Sequence, residues 1–134
     1  MKTILITLLI AALAPALSAL PSGLPLSVAD IGRAIGNGNV EQLTQFMDAE
    51  VELSILEEED LYSRSDAATR LRQFFAKFGP KAFNQVHQGS SKAADAEYVI
   101  GNLATERGNL RVYIYVAKRG DRVVLQELRF DREA

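Results

Sequence analysis

Two sets of side chains in this chain could do chemistry. His87 is the only histidine, and it falls in a stretch predicted as strand, on one face with Phe83 and Gln85. Inside a pocket, an imidazole can take up and release protons near neutral pH, the work of a general acid or base. No carboxylate stands at a spacing that would orient it, so the plainer role is a hydrogen-bonded histidine that fixes the Gly89-Ser90 turn. The second set is Tyr98, Arg111, Tyr113, Tyr115 and Arg129. A period of two puts Arg111, Tyr113 and Tyr115 on one side of a strand, and Tyr98 can lie beside them on its neighbour. Such a set suits a pocket for an anionic or aromatic small molecule, with arginine pairing to a carboxylate. The same residue types are favoured at subunit interfaces, and the balance tips towards a dimer face.

Three other motifs have simpler explanations. Glu57-Glu58-Glu59-Asp60 gathers carboxylates, as calcium requires, but lacks the alternating ligands and the glycine of a calcium loop. A solvated hairpin tip accounts for it. Arg119-Gly120-Asp121 spells an adhesion tripeptide and equally an ordinary tight turn. Phe74, Phe75 and Phe78 follow helical spacing and belong to a core. With one histidine and no cysteine, neither a zinc site nor a disulfide is expected. No metal and no cofactor is called for.

These residues sit in a short chain with an export address. Lys2 precedes an apolar run from Ile4 to Ala14, interrupted only by Thr7, and small residues follow at Ala16, Ser18 and Ala19. That order is a secretory signal peptide over residues 1–19. The run is too short for a bilayer of roughly 30 Å, which takes about 20 residues of helix. The expected location is the periplasm or the outside of the cell. Fifteen basic residues against 17 acidic give a formal net charge of −2, and loss of Lys2 with the leader makes it one unit more negative. No basic stripe is present to meet phosphates, so nucleic acid is not an expected partner. No second apolar run follows, so no membrane contact is expected after the leader is removed.

Residues 20–26 (LPSGLPL) read as an extended arm, and 27–134 as a single domain. Ser27 opens a helix with Asp30 at the reciprocal capping position and Val28, Ile31 and Ile35 as its stripe. Gly36-Asn37-Gly38 breaks it, and Asn39 caps a second short helix with Val40, Leu43 and Met47 on one face. From Val51 the period changes to two, the mark of a half-buried strand, and Leu61-Tyr62-Ser63 returns as its short partner. Ser63 or Ser65 caps the strongest helix, whose stripe is Ala67, Leu71, Phe74, Phe75 and Phe78 and whose stop is Gly79-Pro80. Strands follow at 82–88, 96–105, 110–118 and 122–130, with tight turns at Arg107-Gly108-Asn109 and Arg119-Gly120-Asp121. This order gives an α+β domain in which a curved antiparallel sheet wraps the N-terminal helices and one long helix. On the third of these strands Leu110, Val112, Ile114 and Val116 face one side and Arg111, Tyr113 and Tyr115 the other, a semi-apolar face that is not expected to be left bare.

That element order resembles the nuclear-transport-factor-2-like cone, also called the cystatin-like or SnoaL-like fold. The resemblance is closer to a family of exported bacterial domains of unknown function that share the cone. It is carried by His87-Gln88-Gly89-Ser90, Tyr98-Val99-Ile100-Gly101-Asn102-Leu103, Arg111-Val112-Tyr113-Ile114-Tyr115 and Gln126-Glu127-Leu128-Arg129-Phe130, and spans roughly residues 27–131. The resemblance implies a pocket between sheet and helices and homodimers that pair sheet faces. It also implies a choice between binding proteins and enzymes such as ketosteroid isomerase, polyketide cyclases and dehydratases, which fold alone does not decide. The chain departs from the isomerase: residues 27–47 hold no tyrosine as oxyanion donor, and no strand carries an evident buried aspartate base. The expectation is a non-catalytic module that binds a small molecule or a protein. The alternatives are a small cofactor-free enzyme using His87 and a tyrosine, and a structural dimerisation module.

Overall fold

The structure is a computed structural model that describes residues 27–133; the expected leader and arm lie outside the described residues. Local chemistry sets the first elements. The backbone N–H of Ser27 donates to the Asp30 carboxylate at 2.7 Å, closing the reciprocal half of a capping box, and α1 runs over Val28–Gly36. The Asn39 side chain accepts from the Gln42 N–H at 3.1 Å and opens α2, Val40–Phe46. Phe46 completes the buried face of α2, and Met47, expected on that face, is instead the first residue of β1.

Strands β1 (Met47–Ile55) and β2 (Glu58–Ser63) form a hairpin. Its tip is Leu56-Glu57 alone, with Leu56 at a φ of 58°. The expected turn over Glu57–Asp60 is thus corrected: Glu58, Glu59 and Asp60 are strand residues opposite Ile55, Ser54 and Leu53. β2 is an outermost strand, where charged side chains are tolerated and discourage further pairing. Ser63 accepts from the Asp66 N–H at 3.2 Å and caps α3, Arg64–Phe78, which ends at Gly79 in the left-handed region. All five residues of its expected stripe are buried, with Ala68 beside them.

The remaining strands are β3 (Pro80–Ser91), β4 (Ala96–Thr105), β5 (Gly108–Arg119) and β6 (Arg122–Arg132). The β4–β5 turn is Glu106-Arg107, one residue earlier than the sequence suggested. Gly108 already pairs with Thr105, whose hydroxyl donates to the Gly108 carbonyl at 2.6 Å. The sheet order is β2-β1-β6-β5-β4-β3. One join departs from an all-antiparallel sheet: β1 lies parallel to β6, bringing the first strand beside the last.

Both faces of this sheet are now defined. The inner face packs α1 against β3 and β4, and α3 against β1 and β2, with α2 between the two helices. Leu103, Val112, Ile114, Leu128 and Phe130 are buried there in one cluster with Ile31, Leu43 and Leu71. The Phe130 ring is 4.7 Å from Phe74 and meets Phe75 edge-on at 6.0 Å. Phe83 pins α1 to the sheet through a slot made by missing side chains. A Cβ at Gly32 would lie 2.7 Å from its ring, and one at Gly101 would overlap it.

Candidate functional site

The outer face of the sheet carries the residues singled out by type. Strand register aligns Gly89, Tyr98, Tyr115, Glu127 and Glu52 in one row from β3 to β1. The next row is His87, Ile100, Tyr113, Arg129 and Ser54. Arg111 lies one row further, between Asn102 and Asp131. Tyr98, Arg111, Tyr113, Tyr115 and Arg129 therefore share one face. The rings of Tyr98 and Tyr113 stack at 6.2 Å, 21° from parallel. Tyr98 also covers Gly89, where a side chain would collide with its ring.

His87 joins this face for a reason that alternation could not show. The register of β3 on β4 slips between Gln85 and His87, a β-bulge that leaves Val86 unpaired and 58% exposed. One extra residue reverses the side-chain alternation. Phe83 and Gln85 point inward and His87 points outward, which corrects the expectation that the three share a face. His87 Nε2 lies 3.2 Å from the Tyr98 hydroxyl. A histidine and a tyrosine are thus within hydrogen-bond reach, on a surface that is exposed among the described residues.

The electrostatics of the face come from residues not singled out by the sequence. Glu127 is half-buried on β6, and its carboxyl is pushed above the ordinary range by burial and then by Glu52 and Glu59, with Arg129 opposing. Burial, then the charge of Glu127, raises the Tyr113 hydroxyl as well. Arg129 is shared between Glu127 at 3.9 Å and Asp131 at 4.0 Å, distances of weak, partly screened pairs. Beside Arg111, the buried Asn102 Oδ1 has no hydrogen-bond partner among the described residues.

The inner face opens at one end into a cleft of about 700 Å³, bounded by α3, the β1–β2 hairpin and the end of β6. Leu53, Ile55, Phe74 and Phe78 supply its apolar wall, and its charged residues are Arg70, Lys77 and Arg132 with Glu57, Glu58 and Asp131. Arg70 is held by Glu58 at 3.6 Å and lies over the Tyr62 ring at 5.7 Å. None of the five outer-face candidates lines this cleft, and neither does His87. Sequence reasoning missed it because its walls come from separate elements that only the fold brings together.

The Glu57–Asp60 carboxylates fan out along the hairpin, and no group of three or more metal-binding side chains comes together among the described residues. The Arg119-Gly120-Asp121 stretch forms a hairpin turn, with Arg119 donating to Asp48 at 3.0 Å. Among the described residues no helix is long and apolar enough to cross a membrane.

A six-stranded, unclosed sheet with its helices on one face and a cleft at one end is the nuclear-transport-factor-2-like, or cystatin-like, architecture. Residues 28–131 match the family described as Domain of unknown function (DUF4783), and the chain belongs to it. A DUF4783 protein from Bacteroides ovatus superposes with a TM-score of 0.74 at 27% identity, over 84% of this chain and 99% of that one. A second, from Bacteroides uniformis, gives 0.71 at 27% identity over 78% and 94%. A protein of unknown function with a cystatin-like fold from Methylobium petroleophilum gives 0.59 at 9% identity over 77% and 70%, a likeness of fold alone. No curated protein matches the chain.

Proposed function

We propose that this protein is an exported, non-catalytic binding module that holds a small organic molecule in the cleft between α3 and the β1–β2 hairpin. The observation that carries this reading is the cleft itself. Its volume of about 700 Å³ falls in the usual range for ligand pockets, roughly 300–1,000 Å³. Aromatic and aliphatic wall residues with a few charged groups at the mouth are what such pockets use to bury and orient a ligand. Proton-transfer catalysis would need a titratable pair inside a cavity, and the His87–Tyr98 pair faces away from this one. The test is organic extraction of protein purified gently from its export compartment, followed by mass spectrometry. A stoichiometric small molecule is expected; its reproducible absence from protein that never left native conditions would contradict the reading.

The outer face favours a second role, pairing with another copy of the chain. Tyr98, Ile100, Tyr113 and Tyr115 are half-buried there, and the two central rows carry no lysine. Exposed clusters of tyrosine with arginine, poor in lysine, are the composition of protein interfaces. Sedimentation velocity is expected to give a dimer, which Tyr113→Glu converts to monomer.

A further inference from the structure

We propose that the ligand of the cleft is a monoanionic amphiphile: an apolar body against Phe74, Phe78 and Ile55, and one carboxylate-type head held between Lys77 and Arg132. This rests on the cleft being a binding site and adds the chemistry of its occupant.

The charges of the cleft are not equivalent once their partners are assigned. At the hairpin end Arg70 is paired with Glu58 at 3.6 Å and lies over Tyr62, and Glu57, which also lines the cleft, adds a negative charge there. At the other end Asp131 also lines the cleft, and its carboxylate is weakly paired with Arg129 of the outer face at 4.0 Å. Lys77, on the last turn of α3, and Arg132, the last residue of β6, have no carboxylate within 4.0 Å among the described residues. Two uncommitted cations thus flank the end of the cleft nearest the α3 C-terminus. The last helical carbonyls there do not replace a counter-ion, because they are already engaged. Arg107 Nε donates to the Lys77 carbonyl at 2.7 Å, and the Glu106 N–H donates to that of Phe78 at 2.9 Å.

Between these two ends the wall is apolar. Phe74 and Phe78, with ring centroids 4.8 Å apart, line the cleft from α3, and Ile55 lines it from β1. A neutral apolar molecule would satisfy the wall and leave the cations bare. A cationic head would be repelled by Lys77 and Arg132 and would have to turn towards Glu57 at the hairpin tip instead. An apolar body with one negative head satisfies both. The arginine can grip a carboxylate with two parallel N–H bonds, and the lysine adds a compact charge.

The experiment is amide chemical-shift titration of the full mature protein with three ten-carbon probes: decanoate, decanol and decyltrimethylammonium. Decanoate is expected to shift the amides of residues 74–78 and 131–132. Each screened pair at a cleft mouth contributes a factor of up to about five, so decanoate should bind about tenfold tighter than decanol and tighter still than the cation. Lys77→Gln with Arg132→Gln should cut that preference to less than about twofold while decanol binds as before. These are surface substitutions, and the unchanged decanol affinity reports that the fold is intact. Cleft binding with equal affinity for all three probes, or with preference for the cation, would overturn the ligand class and leave the cleft as a binding site. Failure of every probe to perturb the cleft would overturn both.

Discussion

The two faces of one sheet solve opposite problems. On the inner face, alternate residues of β4, β5 and β6 meet helices, and every apolar position is buried in a single cluster. On the outer face the intervening residues include Tyr98, Tyr113, Tyr115, Arg111, Arg129 and Glu127, with no helix over them among the described residues. Dense packing makes the inner face intolerant of change and leaves one cleft where α3 and the β1–β2 hairpin diverge. The outer face contributes little to holding the monomer together, so its residues are available for contact with something else. Chemistry-bearing residue types therefore gathered on the face without a cavity, while the cavity was built largely from residues that look like core.

Substitutions that separate the faces should differ most in stability. Phe130 is fully buried against Phe74 and Phe75, and Phe130→Ala is expected to cost about 3–5 kcal/mol in urea denaturation. Gly101→Ala should cost about 1–3 kcal/mol, because the added methyl overlaps the Phe83 ring and forces it from its slot. Tyr113→Ala, on the outer face, should cost the monomer no more than about 1 kcal/mol in the same assay. A loss as large as that of Phe130→Ala would mean that the outer face is structural, and the contrast drawn between the faces would fail.

The smallest expected effect depends on pH. The Glu127 carboxyl is raised by burial and by Glu52 and Glu59, so its ionised form is disfavoured in the folded state. Below its raised value the group is protonated when folded and its penalty is absent; the penalty appears as pH rises through that value. Glu127→Gln should stabilise the protein at pH 7 by no more than about 0.5 kcal/mol, and this advantage should fade on acidification. Asp30 has the opposite sign. The Ser27 backbone N–H lowers its carboxyl, so its contribution is present above the ordinary aspartate value and is lost as pH falls below it. Thermal melts of Glu127→Gln and Asp30→Ala between pH 3 and 7 separate the two.

What could be read from the sequence divides along the same line. Helix caps at Ser27, Asn39 and Ser63, the phenylalanine stripe of α3 and the alternation of β5 are written in residues a few positions apart, and each is found in the fold. That alternation set Tyr113 and Tyr115 on the face opposite Val112 and Ile114, but which face the helices cover was settled only by the fold. His87 was assigned to the wrong face because a bulge at Val86 leaves no mark in hydropathy; only pairing with β4 reveals the extra residue. The parallel join of β1 and β6 is equally non-local. A pocket between sheet and helices was implied by the resemblance alone; its lining was not legible in the residues, since Lys77 reads as the exposed flank of a helix and Arg132 falls beyond the last expected strand. Glu127 became notable only when pairing set it beside Glu52.

Native mass spectrometry of the protein and two variants, one for each face, tests the division of labour most directly. The wild-type protein should appear as a dimer with one small added mass per subunit. Tyr113→Glu should give a monomer that keeps the added mass, and Lys77→Gln with Arg132→Gln a dimer that has lost it. Loss of the ligand with the dimer, or a bare subunit in every sample, would contradict an account in which the outer face pairs copies and the cleft alone holds the ligand.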